Sequence, residues 1–271
     1  MSTSRAGAES APNLFLHGGP GLSCIAERER YGSALPVEWW DQPRGVVLFA
    51  HPFGELVEMA TDLIAERARQ YGQPVGLIAN SFGAHVALRV AARIPERIHA
   101  LTLLAPVFDV VDGLARVARR VVDRLPHSES LVRALDLLSA QPYNRDCFWL
   151  LVDELMATPN FLRVYFSARA DAQYAEFAGL MAREALFDVS AFRTILQDFW
   201  NAPALEGPPR VECPVEIVFG REDVLTDSAS ESNVWAAFFP HAKIRHVDAG
   251  HFVHLELPPE QWWPPASRAR A

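Results

Sequence analysis

Apolar residues recur along this chain in two rhythms. Short, mostly apolar runs, which suit parallel strands buried on both faces, fall at residues 13–16, 37–40, 75–79, 100–104, 215–219 and 244–247. Between several of them the period lengthens to that of a helix. Residues 55–71 set Leu56, Met59, Leu63, Ile64 and Ala68 on one face, and Gly72 stands where a helix would stop. Residues 82–94 do the same with Val86, Ala87, Val90 and Ala91, and Pro95 disfavours helix at Ile94. Strand, helix, strand in this order predicts an α/β fold with a mostly parallel central sheet flanked by helices.

The alternation stops between residues 107 and 210. Helical periods are read there at 114–125, 131–140, 147–156, 161–182 and 191–200, with no convincing strand. This stretch holds 13 of the 28 aromatic residues, so its helices must pack against something apolar. Five helices in a row would interrupt βαβ winding, and an inserted helical cap over the end of the sheet is expected rather than an ordinary helical layer. The expected division is a core of residues 1–106 and 211–271 and a cap of residues 107–210.

Composition narrows the chemistry. The 271 residues suit one large domain or one domain carrying an insertion. Of the 25 basic residues only Lys243 is a lysine, and it sits in the polar approach to a strand, which argues against a lysine phosphate loop or a Schiff base. A net charge of −8, with no basic run longer than Arg119-Arg120, argues against nucleic acid and anionic membrane as partners. Cys24, Cys147 and Cys213 are too few and too dispersed for a disulfide framework or a paired zinc site, which fits a reducing compartment. The first dozen residues lack an apolar leader core and no stretch is apolar for the roughly 18 residues a span requires, so a cytoplasmic protein is expected. The partner expected is a small-molecule substrate, with the oligomeric state open.

Against that background, Ala79-Asn80-Ser81-Phe82-Gly83 stands between a predicted strand and a predicted helix. A serine hydroxyl is a weak nucleophile and needs to be held exposed beside a base, which a sharp strand-to-helix turn achieves. Small residues two before and two after the serine let strand and helix approach. By chance alone, with glycine near 7% of residues, roughly 0.2 such patterns would be expected in a chain of this length, so the placement carries more weight than the pattern. Upstream, His17-Gly18-Gly19-Pro20-Gly21 follows the first strand; such a loop is either a tight turn or, paired with the amide of Phe82, a source of N–H donors for an oxyanion. A base and an orienting acid should follow later strands. His251 in Asp248-Ala249-Gly250-His251 and Asp223 in Phe219-Gly220-Arg221-Glu222-Asp223 occupy such places, with Glu222 and Asp109 as competing acids. Asp248 is too near His251 in sequence to orient it from a separate strand.

These motifs resemble the α/β-hydrolase superfamily. The glycine loop, together with Trp40-Asp41-Gln42 after the next strand, is most similar to the proline-iminopeptidase-like branch, where an Asp-Gln-Arg-Gly segment holds that place. The likeness spans residues 13–106 and 211–260 and leaves the helical insertion unmatched. It implies a Ser81–His251–Asp223 triad, an oxyanion hole from the Gly19 and Phe82 amides, a cap over the pocket and no cofactor. Three departures stand out: Ala79 replaces the first glycine of the elbow, Pro43 is inserted before Arg44-Gly45, and the short lead before the first strand leaves the usual antiparallel hairpin shortened or missing.

Other chemistry-bearing residues read as follows. His254, three residues after His251, is spaced like a metal ligand only on a helix and lacks a third ligand, so no metal is expected and a structural role is. His85 reads as packing or surface, and Cys24 as a small buried residue. Gly18, His51 and Asn80 are expected around the pocket. Glu129, Asp153, Glu154, Glu176 and Glu184 of the insertion are either solvated helix faces or carboxylates for a substrate ammonium. The expected function is a serine hydrolase acting on an ester, thioester or small amide of a largely apolar molecule through an acyl-enzyme. The alternatives are a proline-iminopeptidase-like aminopeptidase, a carbon–carbon bond hydrolase, which an Asn-Ser elbow favours slightly, and a non-catalytic ligand-binding protein of the same fold.

Overall fold

The computed structural model describes residues 13–183, 186–203, 205, 207 and 209–263. Six parallel strands, β1 (Asn13–Leu16), β2 (Val37–Trp40), β3 (Val75–Asn80), β4 (Ile98–Leu104), β5 (Val215–Gly220) and β6 (Lys243–Val247), pair in the order β2-β1-β3-β4-β5-β6. Burial follows position in the sheet: every residue of the inner strands β1, β3 and β5 is buried, whereas the edge strands β2 and β6 are mostly half-buried. Helices α1 (Ile25–Tyr31), α2 (Pro52–Tyr71), α3 (Gly83–Arg93), α9 (Ser228–Phe238), α10 (Val253–Glu256) and α11 (Pro259–Trp262) connect or follow the strands. The six predicted strands appear, some a residue or two longer than their apolar cores, as do the helices predicted over 55–71 and 82–94.

The strand order decides where a ligand can go. The chain runs outward from β1 to β2 and then returns across β1 to lay down β3, so the loops leaving β1 and β3 part at neighbouring strand ends. In an open parallel sheet that switch point opens a crevice at the carboxyl ends. The glycine loop and the Ser81 turn are those two loops.

Between β4 and β5 the described residues form α4 (Val110–Arg124), α5 (Glu129–Ala140), α6 (Arg145–Ala157), a 3₁₀ turn (Phe161–Tyr165), α7 (Asp171–Arg183) and α8 (Val189–Asn201), and no strand. Four of these helices begin two to four residues before their first periodic apolar position. Asp109, Ser128, Asn144 and Asp188 accept hydrogen bonds from the first-turn amides and set the starts instead. One expected helix, residues 161–182, is broken. The chain is extended at Phe166, and the backbone there is held by the sheet half: Tyr165 O accepts from the His251 amide at 2.6 Å, Ser167 N donates to the Glu256 carboxylate at 3.2 Å, and Ala168 N donates to Glu222 at 2.8 Å. Those bonds satisfy the groups an uninterrupted helix would have paired internally, and so override the local period.

Candidate active site

β3 delivers Ser81 into a turn that few side chains tolerate. Ser81 has φ +52°, a left-handed conformation that costs a non-glycine residue roughly 1–2 kcal/mol. The surroundings impose it: the Ser81 amide donates to Leu104 O at 2.9 Å, the Asn80 side chain donates to the same carbonyl at 3.0 Å, and α3 departs at once. Gly83 is what lets α3 leave so sharply, since a Cβ there would lie 2.6 Å from both the Leu16 and His17 carbonyl oxygens. Ala79 is fully buried in β3, so a methyl is accommodated at the departure from the usual glycine.

β6 ends in the loop that carries His251, and β5 in the loop that carries Asp223. His251 Nε2 lies 2.8 Å from Ser81 Oγ, and His251 Nδ1 lies 2.9 Å from Asp223 Oδ2. Asp223 is an acceptor for three further donors: Leu225 N at 2.8 Å, Thr226 N at 3.3 Å and Thr226 Oγ1 at 2.8 Å. Nδ1 therefore donates to Asp223, and the free lone pair of Nε2 faces the serine hydroxyl. The competing acids are occupied elsewhere. Asp109 caps α4 and accepts from Tyr143 Oη at 2.5 Å; Glu222 holds Ala168 N; Asp248 pairs with Arg221 at 3.1 Å.

The glycine loop is held from below by the segment after β2. His17 is buried, and burial lowers its pKa, which favours a neutral ring. Its Nδ1 stands 2.8 Å from Gly18 O, and Nε2 accepts from Gln42 N at 3.2 Å, while Gln42 Oε1 accepts from Gly21 N at 3.3 Å. Asp41 accepts from the Cys24 amide at 2.6 Å and pairs with Arg28 at 2.7 Å. The inserted Pro43 thus leaves the Asp41-Gln42 contacts in place. Cys24 is buried and its thiol is pushed well up by that burial, so it is an inert packing residue.

A cavity of about 300 Å³ opens over Ser81 and His251. Gly18, Gly19 and Phe82 line it from the strand ends, and side chains such as Leu155, Met156, Met181, Phe187 and Phe192 line it from the segment between β4 and β5. Neither amide of Gly19 or Phe82 is used in a backbone hydrogen bond among the described residues. Two expected pocket residues are not among the lining residues. Asn80 is buried in its bond to Leu104 O, and His51 has a side chain 84% exposed beside Asp198, because α2 starts at Pro52 and turns that loop outward. The described insertion acids are also elsewhere: Glu129 and Asp153 pair with Arg133 and Arg193, Glu154 accepts from Ser130 Oγ at 2.5 Å and Glu176 faces Arg30 at 4.0 Å. Glu184 lies outside the described residues.

Two further histidines are structural in their contacts. His254 is buried with Nε2 2.8 Å from Glu27 Oε1, tying α10 to α1. His85 is buried against Phe82 and Phe199, and burial with the nearby Arg89 guanidinium lowers its pKa to about 3. Among the described residues, no group of three or more His, Cys, Asp or Glu side chains could hold a metal ion, and no helix is long and apolar enough to cross a membrane. One aromatic residue of the insertion has a place at the site that the sequence did not assign to it. Tyr165, at the end of the 3₁₀ turn, stands edge-on to His251 with ring centroids 5.6 Å apart. Its only sequence signal is membership of the aromatic set of the insertion.

The sequence profile of the family described as alpha/beta hydrolase fold matches residues 39–258. No curated protein matches the chain. Among solved structures, a proline iminopeptidase-related protein from Thermus thermophilus is 24% identical, with a TM-score of 0.62 over 92% of this chain and 85% of that one. MenH from S. aureus is 20% identical, with a TM-score of 0.58 over 94% and 92% of the two chains. A mutant epoxide hydrolase from Bacillus megaterium is 16% identical, with a TM-score of 0.53 over 93% and 90%. At these identities the likeness is one of fold.

Proposed function

The chain belongs to the alpha/beta hydrolase fold family, and from that premise we propose that it is a cofactor-independent serine hydrolase cleaving an ester or thioester with an apolar acyl group. The observation that carries the reading is a hydrogen-bonded Ser81–His251–Asp223 relay opening on a cavity whose other side chains are almost all apolar. Ser81 Oγ attacks the carbonyl carbon while His251 Nε2 takes its proton. The amides of Gly19 and Phe82 receive the oxyanion. As the tetrahedral intermediate collapses, His251 returns the proton to the departing oxygen or sulfur, leaving an acyl-Ser81. Water, deprotonated by the same nitrogen, releases the acid. Asp223 holds the imidazole tautomer and stabilises the imidazolium. In this reading the segment between β4 and β5 is the cap, and it supplies most of the acyl site.

The aminopeptidase alternative requires a carboxylate for the substrate ammonium. Among the described lining residues there is none, and an ammonium desolvated without a partner is strongly disfavoured. The Asn80 side chain, the feature that favoured a carbon–carbon bond hydrolase, is engaged with Leu104 O away from the cavity. The test is labelling by a fluorophosphonate together with turnover of p-nitrophenyl esters of increasing acyl length, in native protein and in Ser81→Ala. Native protein should be labelled and should favour medium acyl chains over acetate. Turnover retained by Ser81→Ala would overturn the proposal.

A further inference from the structure

Three of the described side chains lining the cavity carry nitrogen or oxygen: Ser81, His251 and Tyr165. The first two are bonded to each other. Tyr165 is 9% exposed; its hydroxyl makes no hydrogen bond to any described residue, and its oxygen is not among the fully buried atoms left without a partner, so it keeps some access to solvent. The contrast with its neighbours is informative. Tyr31 Oη donates to His254 O at 2.5 Å and Tyr174 Oη to Asn160 Oδ1 at 3.1 Å, although Tyr174 is less buried. A buried phenol normally finds an acceptor. The Tyr165 ring is also fixed in place, stacked on Phe252 at 5.9 Å and edge-on to His251, while its own carbonyl oxygen holds the His251 amide.

We propose that Tyr165 is a specificity-determining donor, and that the substrate's apolar acyl group carries one neutral oxygen acceptor, a ketone or ether, that this hydroxyl receives. The inference rests on the reading of the cavity as the acyl site. Burial and the Asp223 charge raise the Tyr165 pKa, so the phenol stays a neutral donor at any working pH. A plain hydrocarbon acyl group would strip water from the hydroxyl and return nothing. An oxo or ether analogue would pair it. Sites built around a buried polar group discriminate in this way because the unmatched ligand leaves the group unsatisfied.

The experiment measures binding, so that it does not depend on turnover. Ethyl hexanoate and the series of its mono-oxo analogues are titrated into Ser81→Ala protein and into Ser81→Ala/Tyr165→Phe protein. Phenylalanine keeps the ring contacts, and matched thermal midpoints check that the fold is intact. At least one oxo ester should lose about ten-fold in affinity on removal of the hydroxyl, while ethyl hexanoate binds as well or better. Equal effects on every member of the series, or no binding by any of them, would overturn the proposal. Fluorophosphonate labelling of the native protein reports separately on the hydrolase reading, so a failure of one is distinguishable from a failure of the other.

Discussion

The sheet half and the helical segment between β4 and β5 meet at the same cavity but contribute in different ways. At the strand ends, polar atoms are tightly assigned: Asp223 accepts four hydrogen bonds, His251 is bonded at both ring nitrogens, and the Ser81 amide is tied to β4. Among the described residues, the helical segment offers the cavity apolar side chains and the Tyr165 ring, whose hydroxyl has no described partner. Proton transfer depends on placement to within fractions of an ångström, which main-chain bonds at the ends of parallel strands supply. On the proposed reading the cavity receives an acyl group, which needs volume and exclusion of water, and packed helices suffice for that. The two regions are also fastened together. Asp188 N donates to Gly21 O at 2.7 Å, Phe108 N to Glu231 at 3.2 Å, and Phe53 N to Asp198 at 2.9 Å.

The division can be broken at its strongest point first. Ser81→Ala should lower kcat by about 10⁴-fold or more, and Asp223→Asn by about 10⁴-fold, with little change in thermal midpoint for the serine variant. Parallel rate and stability losses in Ser81→Ala would mean that the strand ends are not a preformed site.

Next come the seams. Gly21 has φ +83°, and a Cβ there would stand 2.2 Å from Asp188 O and 2.9 Å from Phe192 N. Gly21→Ala should therefore cost about 2–4 kcal/mol of unfolding free energy in urea, by strain and by prising α8 from the glycine loop. At a second seam, burial raises the Glu231 carboxyl from 4.5 to about 7. A carboxyl held above its unfolded value favours the fold while it is protonated, and that contribution disappears as pH rises through the folded pKa. Stability should thus fall between roughly pH 5 and 8, by at most about 2–3 kcal/mol from this group. Glu231→Gln should flatten the dependence of the thermal midpoint on pH over that window; an unchanged slope would remove Glu231 as its cause.

The smallest effect sharpens the comparison from the helical side. Met156 lines the cavity from α6, and each methylene accommodated is worth about 0.8 kcal/mol. Met156→Ala should raise kcat/KM for the longest p-nitrophenyl esters by up to about ten-fold relative to acetate, leaving acetate nearly unchanged. An equal loss for acetate would show that α6 also positions the reacting groups.

The legibility of the molecule follows the same line. Ser81 and His251 were readable because each follows from a local pattern, a predicted strand ending in a turn that contains glycine or other small residues. The choice among acids was not readable. Asp109 and Asp223 both follow strands, and it is the cap of α4 and the Tyr143 hydroxyl that occupy the first while Thr226 and His251 surround the second. The break after Tyr165 was missed because residues 161–182 carry a helical period throughout, and the bonds that override it come from Glu222, His251 and Glu256, far along the chain. His51 was placed at the cavity mouth by loop adjacency, yet Asp198 on α8 holds that corner of α2 and leaves the imidazole in solvent.

What the sequence determined by itself is the six strands, most of the longer helices and the turns that carry reactive groups, because short apolar runs, the 3.6-residue period and the turn preferences of small residues act over a few neighbours. The tertiary structure decided which acid orients His251, which side chains face the cavity, and that Tyr165 lines it with no described partner for its hydroxyl. Those outcomes depend on pairings between residues tens to hundreds of positions apart. They are fixed by the packing of whole elements and the need to satisfy buried polar groups, which no local window contains.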